Sequence, residues 1–188
     1  ENLKKSLLKY DSKNNYFFLS ERENLPNNID LIHYPYLEPF FLTLPFIKRT
    51  KTVVTVHDLT PLVFPQYFPR GIRGNIKWNI QKIGLKRVDS IITDSNSSKK
   101  DILKFTGIPS EKINVVYLAA SEEFKTIKDF QLLHRVREKY NLPEKFALYV
   151  GDVTWNKNLP RIVEAIKKIN VPLVLVGKAL VDKDFDRK

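Results

Sequence analysis

The chain has 188 residues, 43% of them hydrophobic and 12% aromatic, and its 32 basic and 21 acidic residues give a net charge of +11. This composition excludes a disordered chain, and the length suffices for one domain and part of another. The sequence has no cysteine, which excludes disulfides and thiolate metal sites, and no apolar run reaches the roughly 18 residues that a membrane-spanning helix needs.

Short runs rich in β-branched residues alternate along the chain with amphipathic runs, which predict strands and helices respectively. The predicted strands are Tyr16–Leu19, Leu31–Tyr34, Thr52–His57, Ser90–Asp94, Asn114–Leu118, Phe146–Val150 and Leu173–Val176. The predicted helices are Leu3–Lys9, Glu38–Leu44, Ile72–Val88, Ser98–Phe105, Phe130–Tyr140 and Leu159–Ile169. This alternation predicts an α/β fold with a Rossmann-like, doubly wound parallel sheet.

The helix predicted at Ile72–Val88 lies in the densest basic segment, which runs from Arg70 to Arg87 without an acidic residue. On a helical wheel, one stripe is predicted to face the core, and it consists of Ile72, Ile76, Ile80 and Ile83. Trp78 and Leu85 then point outward among lysines, as in helices that contact an anionic membrane surface. The other interpretation is a solvated basic face whose tryptophan packs on a loop.

The helix predicted at Ser98–Phe105 has recognisable ends. Ser98 and Asp101 form a variant of the capping box at its start, and Gly107 is expected to end it.

His57 and Asp58 follow a strongly β-prone run, where Thr60 and Pro61 are expected to force the chain into a loop. In open α/β sheets, ligands bind at the carboxyl ends of the strands. A histidine at this point is therefore expected to face a binding cleft. The other interpretation is a histidine bonded to a backbone carbonyl beside an aspartate that caps a helix.

Gly151 follows a predicted strand and is followed by a loop and an amphipathic helix. That order of elements builds anion sites, because the first turn of a helix offers unpaired N–H groups and the positive end of its dipole. Lys157 directly precedes Asn158, the expected N-cap, so its ammonium group could reach an anion bound there. The other interpretation is an ordinary loop with a solvated lysine.

Several of these segments belong to a longer ordered set between Asp30 and Val176. In chain order they are Asp30-Leu-Ile-His-Tyr-Pro35, the strand ending in His57-Asp58, Ser90-Ile-Ile-Thr-Asp94-Ser95, Lys100-Asp-Ile-Leu-Lys-Phe-Thr-Gly107, Lys112-Ile-Asn-Val-Val-Tyr117 and the stretch from Gly151 to Pro160. The set resembles the GT-B glycosyltransferases, specifically the retaining nucleotide-sugar transferases called group 1 or family 4.

The resemblance implies a role for each candidate residue. His57 matches the cleft histidine that contacts the donor sugar near the reacting carbon, and Lys157 matches the lysine that holds the donor diphosphate. The further residues implied in substrate binding are Gly151, Asn156, Asn158, Asp58 and Ser95. The substrate implied is a nucleoside diphosphate-sugar, with no cofactor and no metal. The sequence departs from the family pattern at Asp152 and Asn156, where arginine is frequent.

The resemblance also implies a domain organisation. Residues 1–124 match an acceptor-side Rossmann-like domain without its first strand, residues 125–144 a linker and helix, and residues 145–188 the start of a nucleotide-sugar-binding domain. The paired glutamates that bind the donor in this family are not found in the sequence. The chain is therefore expected to be a truncated piece that is inactive alone.

The expected partners are the nucleotide-sugar donor and a sugar or lipid-linked acceptor, with self-association as a further expectation. The expected location is the cytoplasm, with peripheral membrane contact through the Arg70–Arg87 helix. Two other classes stay open: a noncatalytic Rossmann-like binding domain and a basic nucleic-acid-binding module. The sequence lacks an RNP-like strand, a zinc finger or a recognition-helix pattern, so no nucleic-acid partner is expected.

Overall fold

The structure is a computed structural model that describes residues 2–20, 23–45, 48 and 50–180. The chain falls into two compact units, Glu1–Glu123 and Phe124–Lys188. No helix among the described residues is both long and apolar enough to cross a membrane.

The first unit contains a parallel sheet with helices between its strands. Its elements are α1 Asn2–Tyr10, β1 Leu31–Tyr34, β2 Lys51–Thr55, α2 Thr60–Val63, α3 Gly71–Arg87, β3 Ser90–Thr93, α4 Asn96–Thr106, a 3-10 turn at Ser110–Lys112 and β4 Ile113–Val115. The four strands pair in the order β1-β2-β3-β4, and every pair is parallel. The predicted α/β, Rossmann-like class is therefore confirmed.

The core of the first unit forms because its central strands are runs of β-branched residues that can be covered by helices. Val54 of β2 and Ile91 of β3 are fully buried. The helices contribute Trp78 and Leu85 from α3 and Ile102 from α4 to the same cluster.

Helix α3 lies in the predicted place with the opposite face inward, so the predicted core stripe was wrong. Trp78 is only 7% exposed and Leu85 is fully buried, whereas three isoleucines of the predicted core stripe are exposed. The buried stripe is completed by Gly74 and Gln81. Glycine and glutamine are not hydrophobic residues, so a helical wheel based on hydrophobicity predicts the isoleucine stripe as the buried face.

Gln81 also explains why the helix predicted at Glu38–Leu44 does not form. Its side-chain nitrogen donates to the carbonyl oxygens of Phe41 and, at 3.5 Å, Glu38, and its side-chain oxygen accepts from the N–H of Leu44 at 3.2 Å. These backbone groups are satisfied by a side chain, so the segment consists of turns rather than a helix.

The strand predicted at Tyr16–Leu19 is also wrong, because this segment pairs with no strand of the described part of the sheet. Its side chains contact each other and the preceding turn instead. The Tyr16 and Phe18 rings stack with centroids 6.1 Å apart, and the Tyr16 hydroxyl donates to Asp11 at 2.5 Å.

The ends of the helices correct two local predictions and confirm a third. The N-cap of α4 is Ser95, whose hydroxyl accepts from the N–H of Ser98, so Ser98 lies inside the helix and is not its cap. Thr60 and Pro61 begin the short helix α2 instead of a loop, because proline is tolerated in a first turn. Gly107 does end α4, in the left-handed conformation with φ 68°.

The second unit contains a separate two-stranded parallel sheet. Its elements are α5 Phe130–Lys139, β5 Ala147–Val150, a 3-10 turn at Trp155–Lys157, α6 Leu159–Ile169, β6 Leu173–Val176 and a 3-10 turn at Lys178–Leu180. Strands β5 and β6 pair in register from Ala147 with Leu173 to Val150 with Val176. No described residue of this unit is buried.

Candidate functional site

Three neighbouring strands of the first sheet end at the same edge, because β1, β2 and β3 are parallel. The segment after β1 carries Tyr36, the segment after β2 carries His57 and Asp58, and the segment after β3 carries Asp94 and Ser95. The structure thus brings three sequence-predicted site residues to one edge, namely His57, Asp58 and Ser95.

The His57 ring is held from two sides. Its Nδ1 lies 2.5 Å from a carboxylate oxygen of Asp94, and its Nε2 lies 3.2 Å from the carbonyl oxygen of Pro35. Both partners are acceptors, so the ring donates to either of them only from a nitrogen that carries a proton. The contact with the Pro35 carbonyl agrees with the other interpretation of His57, a histidine bonded to a backbone carbonyl. The contact with the Asp94 carboxylate was not part of that interpretation. The His57 side chain is 38% exposed and remains open to a ligand.

Asp94 is the site residue that the sequence prediction missed. The register of β2 and β3 pairs Thr55 with Ile92, and continuing it by two residues sets His57 opposite Asp94. The acid at the end of a buried strand was visible in the sequence, but the register that brings it to His57 was not.

An aromatic ring stands beside His57. The Tyr36 centroid lies 5.9 Å from that of His57, with the planes tilted by 36°. The Tyr36 hydroxyl donates to a carboxylate oxygen of Glu38 at 2.7 Å. This hydrogen bond, together with burial and the negative charges of Glu38 and Asp58, raises the pKa of Tyr36 to about 12. The ring therefore carries a neutral hydroxyl at physiological pH.

Asp58 and Ser95 use their side chains to shape the loops at this edge. A carboxylate oxygen of Asp58 accepts from the N–H of Thr60 at 2.8 Å, which fixes the start of α2. The Ser95 hydroxyl accepts from the N–H of Ser98 at 3.1 Å. Both residues therefore fix the backbone next to the His57–Asp94 pair.

The other predicted residues lie in the second unit, in the segment between β5 and α6. Gly151 follows β5 directly, and its N–H donates to the carbonyl of Val176 at 2.9 Å. The segment then forms the 3-10 turn that contains Asn156 and Lys157, and it reaches α6 through Asn158. Lys157 therefore follows the carboxyl end of a parallel strand in its own sheet, as His57 does in the first sheet.

Asn158 is the N-cap residue of α6 by position, but its side chain makes no capping hydrogen bond. The backbone explains this difference from the prediction, since Asn158 has φ 53° and ψ 39°, a left-handed conformation instead of the extended one of a capping residue. Asparagine tolerates that conformation better than most residues.

The loop around Lys157 is closed by local contacts at Thr154. The Thr154 hydroxyl donates to the side-chain oxygen of Asn156 at 2.6 Å, and the Thr154 carbonyl accepts from the N–H of Lys157 at 2.9 Å. The Lys157 side chain is exposed. No carboxylate in the described part of the chain pairs with its ammonium group. The loop backbone is therefore held in place, and the exposed ammonium group is available to an anionic ligand.

Sequence comparison relates the chain to known proteins. Residues 9–123, which include the His57–Asp94 pair, match the model of Glycosyltransferase Family 4. The chain is 28% identical over 137 residues to a serotype-specific mannosyltransferase WbdA of Escherichia coli, a match that covers 68% of this chain and 17% of that protein.

Two further relatives are O-antigen chain mannosyltransferases. O-antigen chain mannosyltransferase B of Escherichia coli is 26% identical over 69% of this chain and 35% of its own length. O-antigen chain mannosyltransferase RfbU of Salmonella typhimurium is 31% identical over 40% of this chain and 20% of its own length. The chain thus spans well under half the length of these relatives. Since the family match covers more than half of the 188 residues, the chain belongs to Glycosyltransferase Family 4.

Proposed function

We propose that the protein transfers a sugar from a nucleoside diphosphate-sugar donor to an acceptor, with retention of configuration at the anomeric carbon. The observation that carries this proposal is the His57 ring, held by Asp94 and Pro35 at the carboxyl edge of a parallel sheet within the matched residues. Ligands of open α/β sheets bind at that edge.

In this proposal His57 contacts the donor sugar near the reacting carbon. Asp94 fixes the ring before the sugar arrives, which lowers the cost of orienting the group for the reaction. The contact between Nε2 and the Pro35 carbonyl is the longer one, at 3.2 Å. A sugar hydroxyl can share or replace it without disturbing the contact to Asp94.

Lys157 is proposed to hold the donor diphosphate, within a loop that Gly151, Asn156 and Asn158 help to form. The leaving nucleoside diphosphate gains negative charge in the transition state, and a cation near the start of α6 stabilises that charge. Pro160 has no N–H, so this first turn offers one donor fewer than usual. Lys157 then carries more of the interaction. The proposed reaction uses these groups and no metal.

We propose mannose as the transferred sugar. The relatives are named as mannosyltransferases, and the matches to two of them cover more than two thirds of this chain. The acceptor is proposed to be a sugar or a lipid-linked sugar.

Calorimetric titration with the nucleoside diphosphate tests the role of Lys157. In the native protein, we expect Lys157→Ala to weaken binding by roughly 1.5–3 kcal/mol, the value of a charge-assisted hydrogen bond. The matched control is Lys145→Ala, since Lys145 is also exposed but precedes β5 at the opposite end of that strand. Equal diphosphate affinity in wild type and Lys157→Ala would show that this lysine is merely solvated.

The same titration separates His57 from Lys157. His57→Ala should leave the affinity for the bare diphosphate almost unchanged, because the imidazole is proposed to contact the sugar. The rate of sugar transfer should fall sharply in the same variant. A loss of diphosphate affinity as large as that of Lys157→Ala would contradict the division of roles.

A further inference from the structure

Helix α3 presents an apolar stripe on its exposed side. Ile72 is 81% exposed, and Ile76 and Ile83 are each 55% exposed. With Ile80 they lie within about a quarter of the helix circumference, opposite the buried face that contains Trp78. We call these four isoleucines the α3 outer stripe. Contiguous exposed apolar patches of this kind mark interaction sites.

Basic residues flank the α3 outer stripe on both sides. At about 100° per residue, Arg73 lies along one side and Lys82 and Lys86 along the other, while Arg87 continues the line of the stripe at the end of the helix. The segment from Arg70 to Arg87 contains no acidic residue. The surface is therefore aliphatic along its centre and positive at both margins.

Further apolar surface lies next to this helix. Gln81 of α3 is hydrogen-bonded to the segment that contains Phe41 and Leu42. These two side chains are 63% and 48% exposed. The Lys77 ammonium lies 5.1 Å from the centroid of the Phe41 ring. A shallow groove also adjoins the stripe, and its lining consists of Leu44, Pro45, Ile80, Ile83, Gly84 and Arg87.

We propose that the α3 outer stripe and its basic margins dock onto an anionic lipid bilayer. Aliphatic side chains along the centre would enter the boundary between headgroups and acyl chains, and the long side chains of Arg73 and Lys86 would reach the lipid phosphates. This surface is not the one expected from the sequence, since Trp78 and Leu85 are in the core.

Charge complementarity favours a bilayer over the other occupants. A second copy of the chain would bring two positive margins together without an acidic partner on this helix. A nucleic acid would meet its basic contacts, but the centre of the surface offers four isoleucines in place of the aromatic rings that stack on bases. The proposal is independent of the sugar-transfer activity.

Flotation with lipid vesicles tests the proposal on the full chain. The probes are vesicles of phosphatidylcholine alone and vesicles of phosphatidylcholine and phosphatidylglycerol in equal parts. The apolar variant is Ile72→Ser with Ile76→Ser, and its matched control is Ile127→Ser with Ile169→Ser, which replaces two isoleucines that are exposed elsewhere. The charge variant is Arg73→Gln with Lys86→Gln, matched by Lys100→Gln with Lys128→Gln at exposed positions.

We expect the wild type to bind the anionic vesicles and to bind the neutral vesicles weakly. The apolar variant should lose about tenfold or more of the partition coefficient, and the charge variant about fivefold for each charge removed. Both controls should bind as the wild type does. All replaced residues are exposed, so circular dichroism should show unchanged folding.

Three outcomes would overturn the proposal. The first is equal vesicle binding by the apolar variant and its control. The second is a dimer in analytical ultracentrifugation that the apolar variant dissociates, which would make this face an interface between copies. The third is that the wild type binds single-stranded DNA tightly but does not bind the vesicles, and that the charge variant loses the DNA binding.

Discussion

His57 is held by Asp94, a residue that directly follows the next strand, β3, and does not belong to its own loop. Among the described residues, no group of three His, Cys, Asp or Glu side chains could hold a metal ion, so the pair is a histidine and a carboxylate rather than part of a metal cluster. A carboxylate at Nδ1 fixes the orientation of an imidazole and determines which tautomer it adopts. Asp94 is therefore a positioning residue in the proposed reaction.

The first residue-scale prediction concerns this pair. Asp94→Asn should lower kcat/KM for sugar transfer by roughly 10- to 100-fold, the equivalent of one charge-assisted hydrogen bond. Affinity for the nucleoside diphosphate should stay the same, because Asp94 lies on the sugar side of the proposed site. Kinetics and calorimetry on the same preparations measure both quantities.

Asp89→Asn is the matched control, since Asp89 precedes β3 at the opposite end of the same strand. Its carboxylate accepts from the Thr52 N–H at 2.6 Å and pairs with Lys48, and the Lys48 contact is the main cause that lowers the pKa of Asp89. The control should affect stability more than turnover. If both variants lost turnover equally, the effect of Asp94 would be a general loss of folding.

A second residue-scale prediction concerns His33 of β1. Burial lowers the pKa of His33, and its Nε2 lies 2.9 Å from the Thr55 hydroxyl. As the pH falls below about 6.5, the unfolded chain takes up a proton at His33 more readily than the folded chain does. The free energy of unfolding should therefore fall between about pH 7.5 and about pH 5.

Urea denaturation at both pH values measures this contribution. His33→Gln should reduce the pH dependence, because it removes the half-buried imidazole whose pKa burial lowers. An identical pH dependence in His33→Gln and wild type would show that other groups cause the acid sensitivity.

At the scale of elements, α3 shows where prediction from sequence succeeds and where it stops. Its extent follows from a long run without proline between polar ends, so prediction placed it within a residue of its observed bounds, Gly71–Arg87. Its orientation depends on Gln81, whose amide is buried only because the backbone of a distant segment accepts and donates to it. Periodicity contains no information about such a partner.

Gln81 therefore gives a prediction at this scale. Gln81→Leu should lower the free energy of unfolding by roughly 1–3 kcal/mol, because it leaves the N–H of Leu44 without its buried partner and removes one of the donors to the carbonyl of Phe41, which keeps the Thr43 N–H. Gln131→Leu, an identical change at an exposed position on α5, should have almost no effect. Chemical denaturation measures both, and equal midpoints would contradict the assigned role of Gln81.

The strands were easier to predict than the loops between them. Strands covered on both faces are continuous Val and Ile runs, and six of the predicted segments are strands. Tyr16–Leu19 is also an apolar, β-prone run, but it has no sheet neighbour in the described residues, and composition does not show whether a neighbour exists. The same holds for the candidate site. His57 could be predicted because it follows a predicted strand, whereas the contact of Asp94 with His57 depends on the register of β2 and β3.

At the scale of the whole molecule, the two units differ in how much they bury. The first contains the hydrophobic core and the sheet whose edge carries His57. The second carries Lys157 in the turn after β5, and none of its described residues is buried. The two candidate residues therefore lie in units that differ in burial.

The most direct test of the account is sugar transfer itself, with the product analysed by NMR. The native protein would be incubated with a nucleoside diphosphate-mannose and a mannoside acceptor, with the nucleoside diphosphate-glucose as the control donor. We predict a mannosylated product with the anomeric configuration of the donor, and a loss of that product in His57→Ala. An inverted product, or an equal rate of transfer by His57→Ala, would contradict the central claim.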